Sequence, residues 1–506
     1  MNEERFDYIV VGAGTAGCLL ANRLSADPST RVLLVEAGGE DRYLWIHIPV
    51  GYLYCIGNPR TDWLFRTVEE PGLGGRSIGY PRGKVFGGSS SINGMIYMRG
   101  QRGDYDRWAA DANPGWSWDE VLPYFVRHED HHTLDAGGSD PLHGHGGEWR
   151  VERARVTWEI LDAFRDAAAQ AGIPPSDDFN RGDNFGCGYF EVNQKRGVRW
   201  NASKAFLRPV LHRPNLKVVT HAQVTGLVRR TDGSGRVEGI EYRIGGPSGE
   251  SKRTLCDGEV VLSAGAIGSP QILQCAGIGA GARLREAGVT PVTELPGVGE
   301  NLQDHLQLRM IYKVRNVRTL NQQASSLIGK AGIGLEYLLF RSGPMSMSPS
   351  QLGAFARSSD GESSPDLEYH VQPLSLDRFG EPLHDFPAFT ASVCHLRPSS
   401  RGEVRITSPD PFAAPRIAPN YLSTEQDRRR AARGCAPSGP GVGGQRPPTP
   451  RRAASPRPAG AWHSEGPEEG CHCIARIRTR SEQASHLLQF RRTDRQRPRN
   501  APISDT

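Results

Sequence analysis

The sequence contains no long apolar run. No stretch of about 18 apolar residues, the length that a membrane-spanning helix needs, occurs among its 506 residues. Its first ten residues enter a strand pattern directly, without the charged-then-apolar order of a secretory leader. We therefore expect a cytoplasmic protein without a transmembrane segment, with peripheral contact to a membrane left open.

Cysteine is scarce and irregularly spaced. The odd total of nine and the lack of framework spacing argue against a disulfide scaffold and favour a reducing compartment. Two of the cysteines flank His472 in the sequence Cys471-His472-Cys473, but a structural zinc site takes a second ligand pair, which is not apparent. We therefore predict no metal site.

The net charge of +5 is the average of two different compositions. Residues 428–506 contain 16 Arg, no Lys and 6 acidic residues, a net charge of +10, so that the rest of the chain carries −5. These 79 residues include only 7 Val, Ile, Leu or Phe, below the roughly 20% expected of an ordered segment. We therefore predict a disordered, Arg- and Pro-rich tail. Because it has few aromatic residues for stacking on bases, nucleic acid is not an expected partner.

A glycine-rich turn between two strand patterns opens the chain. The apolar run 6–11 is followed by Gly-Ala-Gly-Thr-Ala-Gly at 12–17, a helical pattern to Leu24 and a second apolar run that ends at Glu36. Such glycines permit a tight turn, close approach of the backbone to a pyrophosphate and close packing of helix on strand, while the helix N-terminus attracts the phosphates. Glu36 has the spacing of a carboxylate that binds ribose hydroxyls. The unit predicts dinucleotide binding without specifying which dinucleotide.

A second glycine-rich block lies at 83–100. Its Gly-Gly-Ser-Ser-Ser cluster exposes backbone N–H groups and small hydroxyls, which suits a flat or phosphorylated ligand. Composition alone favours a flexible surface loop. The neighbouring Asn93 and the apolar Met95, Ile96 and Tyr97 favour a buried ligand wall instead.

The rest of the globular part mixes helix and strand patterns, which become mainly β-type after His305. The predicted elements are helices over 159–170 and 201–207, strands over 216–230 and 237–244 joined by a hairpin at 232–235, a buried parallel strand over 258–266, a helix with Ser269 as its cap and Pro270 at its first position, and strands over 367–371, 388–395 and 403–407. This order predicts an α/β dinucleotide-binding domain followed by a mainly antiparallel domain.

Three blocks together carry a family resemblance. The motif 12–17 with Glu36, the block 83–100, and the block 265–279 with 295–305 follow the order seen in the glucose-methanol-choline (GMC) oxidoreductases. The chain resembles that family over roughly 6–427 and is most similar to its alcohol and choline dehydrogenase branch. The resemblance implies a Rossmann-like FAD-binding domain over 1–305, some of whose segments line the substrate side. It also implies an α+β substrate domain on an antiparallel sheet over 306–427, with the tail 428–506 in place of the family's C-terminal segment.

The resemblance assigns cofactor residues by position. It places the pyrophosphate and ribose of FAD at Gly12, Gly14, Thr15, Ala16, Gly17 and Glu36. It places the flavin end near Val85, Gly88, Asn93, Gly94, Met95 and Ile96, and the adenine half at Val224. Some family members carry, just before this Asn, a His that is bonded to the flavin. Ile92 occupies that position here, so FAD is expected to bind non-covalently.

The catalytic base of the family has no counterpart. Residues 415–423 match the block that precedes the family's catalytic His, but none of the tail histidines, His463, His472 and His486, has the family's His-Pro-x-Gly-Thr context. An imidazole with a pKa near 6.5 is the group suited to accept the hydroxyl proton at neutral pH. We therefore assign no catalytic residue, and we expect structural roles for His305, His370, His384 and His395. The composition break near Arg430 suggests translation in a shifted reading frame, which the genomic sequence would test.

The resemblance implies an FAD-dependent oxidoreductase that acts on the CH-OH group of donors. Such an enzyme transfers a hydride from a small-molecule alcohol or choline-like substrate to flavin and passes the electrons to an acceptor such as a quinone. Because the His segment is missing, we expect impaired turnover. The alternative is a non-catalytic FAD-binding protein or a vestigial, unstable one, since loss of the family's last segment would expose apolar surface.

Overall fold

The structure is a computed structural model, and it describes residues 4–230, 232, 235–377 and 381–435 together with the backbone of 476–478. The helices in these ranges are, in chain order, α1 (Thr15–Leu24), α2 (Leu44–His47), α3 (Tyr52–Cys55), α4 (Arg102–Ala110), α5 (Trp118–His128), α6 (Glu159–Gln170), α7 (Gly265–Cys275), α8 (Gly281–Glu286), α9 (Leu320–Gln323), α10 (Leu327–Phe340) and α11 (Glu425–Cys435). Among the residues that the structure describes, no helix combines the length and the apolar composition needed to cross a bilayer.

The strands fall into two large sheets and several small ones. In chain order they are β1 (Arg5–Val11), β2 (Val32–Val35), β3 (Glu129–His131), β4 (Trp149–Arg153), β5 (Gly186–Tyr189), β6 (Glu191–Val192), β7 (Gln194–Lys195), β8 (Val198–Arg199), β9 (Leu216–Val219), β10 (Ala222–Arg229), β11 (Val237–Ile244), β12 (Glu250–Leu262), β13 (Ile278–Gly279), β14 (Thr293–Glu294), β15 (Glu300–Leu302), β16 (His305–Lys313), β17 (Leu352–Ala356), β18 (Leu367–Gln372), β19 (Ala388–His395), β20 (Gly402–Arg405), β21 (Arg416–Ala418) and β22 (Arg476–Arg478).

The first large sheet has the order β10-β11-β12-β1-β2-β9. Its strands β12, β1, β2 and β9 are parallel, and β10 and β11 add an antiparallel edge. The turn at Gly12 leads from β1 into α1, which returns the chain to β2 beside β1. The predicted Rossmann-like α/β unit and the predicted hairpin of the two edge strands are therefore confirmed.

The predicted start of the helix after β12 is wrong. Helix α7 begins at Gly265, where φ is +80° and the chain turns out of the strand, and not at Ser269. Pro270 lies inside the helix, and the predicted strand 258–266 ends at Leu262. Glycine adopts a positive φ without a steric penalty, so Gly265 makes the turn into the helix. A serine cap followed by proline at the first helical position, as at Ser269 and Pro270, is not used here.

The second large sheet is antiparallel, with the order β22-β16-β19-β18-β17-β5. Its central strands confirm the predicted antiparallel sheet. Its edges extend past the predicted boundaries, because β5 comes from the range 1–305 and β22 from the range 428–506. The predicted strand 403–407 is β20, which lies in a separate sheet with β15 and β21.

Successive side chains of a strand point to opposite sides of the sheet, so the second large sheet has two faces, and both are buried. One face packs against Leu161 of α6 and carries the apolar residues Leu308, Leu352, Ala354, Leu367, Val371, Ala391 and Val393. The other face, which we name the polar face, carries Gln307, Arg309, Glu368, His370, Gln372, Thr390, Ser392 and Cys394. All eight side chains are buried.

Helix α11 crosses the predicted boundary between globular part and tail. It runs from Glu425 to Cys435, and the hydroxyl of Tyr369 donates a hydrogen bond to the carbonyl of Gly434 at 3.0 Å. The first eight residues of the predicted tail are thus helical and packed on the sheet. Residues 476–478 of the predicted tail form β22, so the expectation of disorder is wrong for them as well. The rest of the tail, which includes Cys471-His472-Cys473, lies outside the described residues.

Candidate active site

A cleft runs along the carboxyl ends of the parallel strands, where α/β sheets bind their ligands. It encloses about 1110 Å³, including solvent at its mouth. Residues that follow β1, β2 and β12 form its floor, and residues 82–83, 88–89 and 222–225 contribute to its walls. The predicted residues Gly12, Gly14, Thr15, Ala16, Glu36, Gly88 and Val224 line this cleft together.

The turn at the cleft floor admits no side chains. Gly12 has φ of +97°, and a Cβ there would lie 2.7 Å from the Ser263 carbonyl oxygen. Gly17 does not line the cleft but packs α1 against the turn, since its Cβ would lie 1.8 Å from the carbonyl oxygen of Gly12. Gly14, in contrast, has only one atom within 4 Å of such a Cβ, so its backbone is open to an approaching ligand.

The two glycine-rich blocks meet in space. Gly88 has φ of +53°, and a Cβ there would lie 2.8 Å from the Cα of Gly14. The N–H of Gly87 donates a hydrogen bond to the carbonyl of Ala13 at 2.8 Å. The second block therefore covers the turn of the first and narrows the cleft at the point where α1 begins.

Two helix N-termini open on the cleft. Gly14 and Ala264 are the N-caps of α1 and α7, and neither side chain caps the helix. Neither helix has an acidic residue in its first turn. The free N–H groups and the positive ends of two helix dipoles are thus available to an anion such as a pyrophosphate.

Glu36 supplies the carboxylate of the cleft. Oε2 accepts a hydrogen bond from the N–H of Ala13 and Oε1 accepts one from the N–H of Gly38, each at 2.8 Å. Burial raises the pKa of Glu36 to about 7, although both hydrogen bonds favour the charged form. The side chain thus fixes the turn, and each oxygen retains a lone pair for a hydroxyl group.

The predicted flavin-end residues lie beyond the cleft floor. Val85 is buried and pairs with Gly39, while Asn93, Gly94, Met95 and Ile96 form a wall that leads towards the second sheet. The Oδ1 of Asn93 accepts hydrogen bonds from the N–H of Met95 and from Nη1 of Arg199, each at 3.0 Å. Met95 is buried at φ of +60°, so this hydrogen-bonded turn holds an unusual backbone conformation.

This wall packs against the same side of the second sheet that bears the polar face. Ile96 and Met98 pack in one cluster with Phe355 and Cys394, which alternate with the apolar-face residues of their strands. The segment that follows the exposed Asn93 and the polar face therefore adjoin the same packed cluster. We take this region as the candidate substrate side of the site.

Sequence reasoning missed several residues of the site. Trp63, Phe65, Arg82, Gln271 and Pro411 line the cleft, but they lie in loops and on α7 without a local motif that marks them. Arg199 is fully buried, and its Nη1 also donates to the carbonyl of Ser90 at 3.0 Å. Burial lowers the pKa of Arg199 to about 10. No sequence pattern distinguishes a buried arginine from an exposed one.

The four histidines expected to be structural have protein partners. His305 bonds the Leu396 carbonyl at 2.8 Å, and His384 bonds the Ser375 hydroxyl at 3.0 Å. His395 lies 3.0 Å from Arg430, and burial together with this arginine lowers its pKa to about 4. His370, on the polar face, lies 3.3 Å from Glu368. The three tail histidines lie outside the described residues.

The chain matches family models at both ends. A GMC oxidoreductase N-terminal model matches residues 6–307, and a GMC oxidoreductase C-terminal model matches residues 398–483. The second match continues past residue 427, where the sequence resemblance was expected to end.

Relatives agree with these matches. The chain is 38% identical over 423 residues to an alcohol dehydrogenase [acceptor] of Pseudomonas putida, covering 83% of this chain and 75% of that protein. It is 40% identical over 428 residues to an oxygen-dependent choline dehydrogenase of Photobacterium profundum, covering 84% and 73%.

Solved structures share the fold. A pyridoxine 4-oxidase from Mesorbium loti matches with a TM-score of 0.73 and 32% identity, covering 84% of this chain and 78% of that one. A formate oxidase of Aspergillus oryzae, studied for modification of its FAD, matches with a TM-score of 0.76 at 24% identity, covering 85% and 80%. From the extent of the N-terminal match and the identity to its relatives, the chain belongs to the GMC oxidoreductase family.

Proposed function

We propose that the chain binds FAD non-covalently in the cleft and oxidises the CH-OH group of a small-molecule alcohol. The observation that carries this proposal is the meeting of Gly14 and Gly88 at the uncapped N-terminus of α1, beside that of α7. Backbone N–H groups at two helix ends, a carboxylate and a glycine-lined approach fit a ligand with a pyrophosphate and a ribose.

The cofactor residues of the proposal are those assigned by the resemblance. Gly12, Gly14, Thr15, Ala16 and Glu36 would hold the pyrophosphate and ribose, with Gly17 packing the turn behind them and Val224 beneath the adenine half. Val85, Gly88, Asn93, Gly94, Met95 and Ile96 would hold the flavin end. Ile92 has no atom that can bond to flavin, which supports non-covalent binding.

When bound, FAD supplies the acceptor for a hydride from the alcohol carbon. The chain's own contribution is to hold the substrate between the wall around Asn93 and the polar face, and to exclude water, since both surfaces consist largely of buried residues. The names of the relatives support an alcohol or choline-like donor, and we retain a quinone as the electron acceptor.

We further propose that turnover is slow. The hydroxyl proton has to be accepted as the hydride leaves, and the sequence has no His-Pro-x-Gly-Thr segment to accept it. On the polar face, the imidazole of His370 is already engaged by Glu368. Slow turnover with retained FAD binding is thus the expected behaviour.

Gly88→Ala tests the binding site, with Gly57→Ala as its matched control. Both glycines have positive φ, +53° and +78°, so both variants incur a similar backbone cost. Only the Cβ at position 88 meets a neighbour, the Cα of Gly14, whereas nothing lies within 4 Å of position 57. We expect the FAD dissociation constant, measured by quenching of flavin fluorescence, to rise about 100-fold in Gly88→Ala, roughly 2.7 kcal/mol, and to be unchanged in the control. Equal affinities in the two variants would contradict the proposal.

Separate measurements test whether the flavin is covalently attached, whether an alcohol reduces it and whether a quinone reoxidises it. Acid precipitation should release all flavin into the supernatant, because a covalent link would keep it in the pellet. Anaerobic addition of a primary alcohol should bleach the flavin slowly, and a quinone analogue should restore its colour. Fast bleaching would contradict slow turnover. A yellow protein that no alcohol reduces would favour the non-catalytic alternative, and a colourless, aggregated one would favour the unstable alternative.

A further inference from the structure

Arg309 lies in the middle of β16 on the polar face. It pairs directly with Ser392 of β19, and only 7% of its surface is exposed. Gln307, two residues earlier on the same strand, lies on the same face beside it and is also buried. The three side chains form one contiguous patch, which we name the donor patch.

Each side chain of the donor patch has one buried polar atom without a hydrogen-bond partner among the described residues. Nη1 of Arg309, Nε2 of Gln307 and Oγ of Ser392 are all buried without a hydrogen-bond partner. The guanidinium forms no ion pair with any residue that the structure describes, and burial lowers the pKa of Arg309. Because a buried cation and buried donors are costly when unpaired, the arrangement calls for an acceptor that carries negative charge.

The nearest charges of the protein do not supply this acceptor. The groups that act electrostatically on Arg309 are Tyr52 and Asp377. Nη1 of Arg309 forms no hydrogen bond with the hydroxyl group of Tyr52. The carboxylate of Asp377 is 70% exposed and lies 3.1 Å from Nε2 of His384. No described residue accepts a hydrogen bond from Nη1 of Arg309, which leaves this position open to an acceptor on a ligand.

The donor patch faces the wall where the flavin end is expected. Its neighbour on the polar face, Cys394, packs in one cluster with Ile96 and Met98. Tyr52 acts electrostatically on both Arg309 and Arg199, and Arg199 holds Asn93 by a hydrogen bond. The donor patch and Asn93 thus have shared neighbours, in the Cys394 cluster and at Tyr52.

We propose that the donor patch binds a carboxylate of the substrate, so that the site takes alcohols that carry a carboxylate group in preference to neutral or cationic alcohols. Arg309 supplies the charge, and Gln307 and Ser392 supply further hydrogen bonds to the carboxylate oxygens. A quaternary ammonium alcohol such as choline meets an unpaired cation here and is disfavoured. This inference rests on the proposed function, whose substrate class it specifies.

The test compares three probes of similar size on the FAD-loaded chain. 3-Hydroxypropionate, 1,3-propanediol and choline are titrated against the flavin absorbance and, separately, against the thermal unfolding midpoint, neither of which requires turnover. We expect 3-hydroxypropionate to bind at least about tenfold more tightly than the other two, as a charge-assisted hydrogen bond supports.

Arg309→Met isolates the charge, and Lys313→Met is its matched control. Lys313 lies on the same strand and the same side as Arg309 but is exposed, so its loss removes one positive charge far from the patch. We expect the preference for 3-hydroxypropionate to disappear in Arg309→Met, to remain in Lys313→Met and to be partly kept in Arg309→Lys. Because it removes an unpaired buried charge, Arg309→Met should unfold at or above the wild-type midpoint.

Each contrary result has a distinct meaning. A yellow protein that binds the diol or choline as tightly as the hydroxy acid overturns the inference and leaves the proposed function intact. Equal preference in wild type and Arg309→Met also overturns it. A destabilised Arg309→Met overturns it too, since the arginine then has a protein partner. A colourless wild type counts against the proposed function, and the thermal measurement still decides whether Arg309 binds the carboxylate.

Discussion

The cofactor cleft is built mainly from backbone groups, whereas the polar face of the second sheet is built from side chains. The cleft presents backbone, in the form of N–H groups at Gly14 and Gly265 and glycines that allow close approach. The polar face presents side chains on three neighbouring strands. A cleft made of backbone tolerates changes of side-chain chemistry but not of volume, whereas the sheet face depends on which groups its strands carry.

The two regions also differ in how strongly a substitution is expected to change the free energy of unfolding. Gly12, Gly17 and Gly88 lie so close to backbone atoms that an added methyl group has no space, whereas Gly14 is open. The three polar atoms of the donor patch, Nε2 of Gln307, Nη1 of Arg309 and Oγ of Ser392, have no partner among the described residues, so their removal costs little stability. We therefore expect large stability effects at the cleft and small ones at the polar face, with binding effects at both.

Gly17→Ala is expected to have the largest effect. Its Cβ would lie 1.8 Å from the carbonyl oxygen of Gly12, so α1 would have to move off the turn. We expect a loss of about 4 kcal/mol or more in the free energy of unfolding, measured by urea denaturation. Gly332→Ala in α10 is the control, because nothing lies within 4 Å of its Cβ and alanine is the better helix former. The control should gain about 0.5–1 kcal/mol, and similar losses in both variants would contradict the comparison.

Leu352→Ala tests the apolar face of the second sheet. Leu352 is fully buried in the cluster with Leu161, so its truncation leaves a cavity. We expect a loss of about 2–5 kcal/mol in the free energy of unfolding by the same urea assay. Leu335→Ala, at an exposed position of α10, provides the control and should change stability by less than about 0.5 kcal/mol.

Glu36→Gln tests the one side chain on which the cleft turn depends. The amide keeps one acceptor but turns an NH₂ group towards a backbone N–H, so we expect a loss of about 1–3 kcal/mol. The loss should depend on pH, since the pKa of Glu36 is raised from 4.5 to about 7. Between pH 4.5 and about 7, the native state therefore binds more protons than the unfolded state. The contribution of Glu36 to the free energy of unfolding then falls as the pH rises. The stability difference between wild type and Glu36→Gln should therefore be larger at pH 5 than at pH 8, and an increase with pH would contradict this assignment.

Ser392→Ala is expected to have the smallest effect on stability. The hydroxyl is buried without a partner, so its removal should change the free energy of unfolding by less than about 0.5 kcal/mol or raise it slightly. Ser400→Ala is the control, because that buried hydroxyl donates to Asp427 at 2.5 Å and accepts from the N–H of Ser423 at 3.1 Å. The control should be less stable by about 1–3 kcal/mol. Comparable losses in the two variants would show that Ser392 has a partner in the free protein.

The same contrast explains what the sequence could predict. The turn at 12–17, the strands around it and the antiparallel character of the second sheet follow from glycine spacing and local periodicity, and the structure confirms these elements. The cofactor residues carried over from the family remain a prediction, although seven of them line one cleft. The start of α7 was misplaced because Ser269 and Pro270 satisfy a local capping rule that Gly265 overrides.

The donor patch could not be predicted in this way. Gln307 and Arg309 read locally as the polar positions of an alternating strand, which normally face solvent. They are buried in a sheet whose polar face also packs with Ile96 and Met98, and this packing depends on contacts between distant parts of the chain. Burial of polar groups by a second domain is not visible in local periodicity.

The contacts of Gly14 with Gly88 and of Gly12 with Ser263 also bear on how the molecule forms. They join three segments that are far apart in the chain, so the cleft cannot exist until these segments have come together. Contacts of this kind slow folding, because long loops have to close before any stabilising contact is made. A ligand that binds only the completed cleft raises the stability of the native state by mass action. We therefore expect added FAD to slow unfolding of the chain while leaving its rate of refolding unchanged.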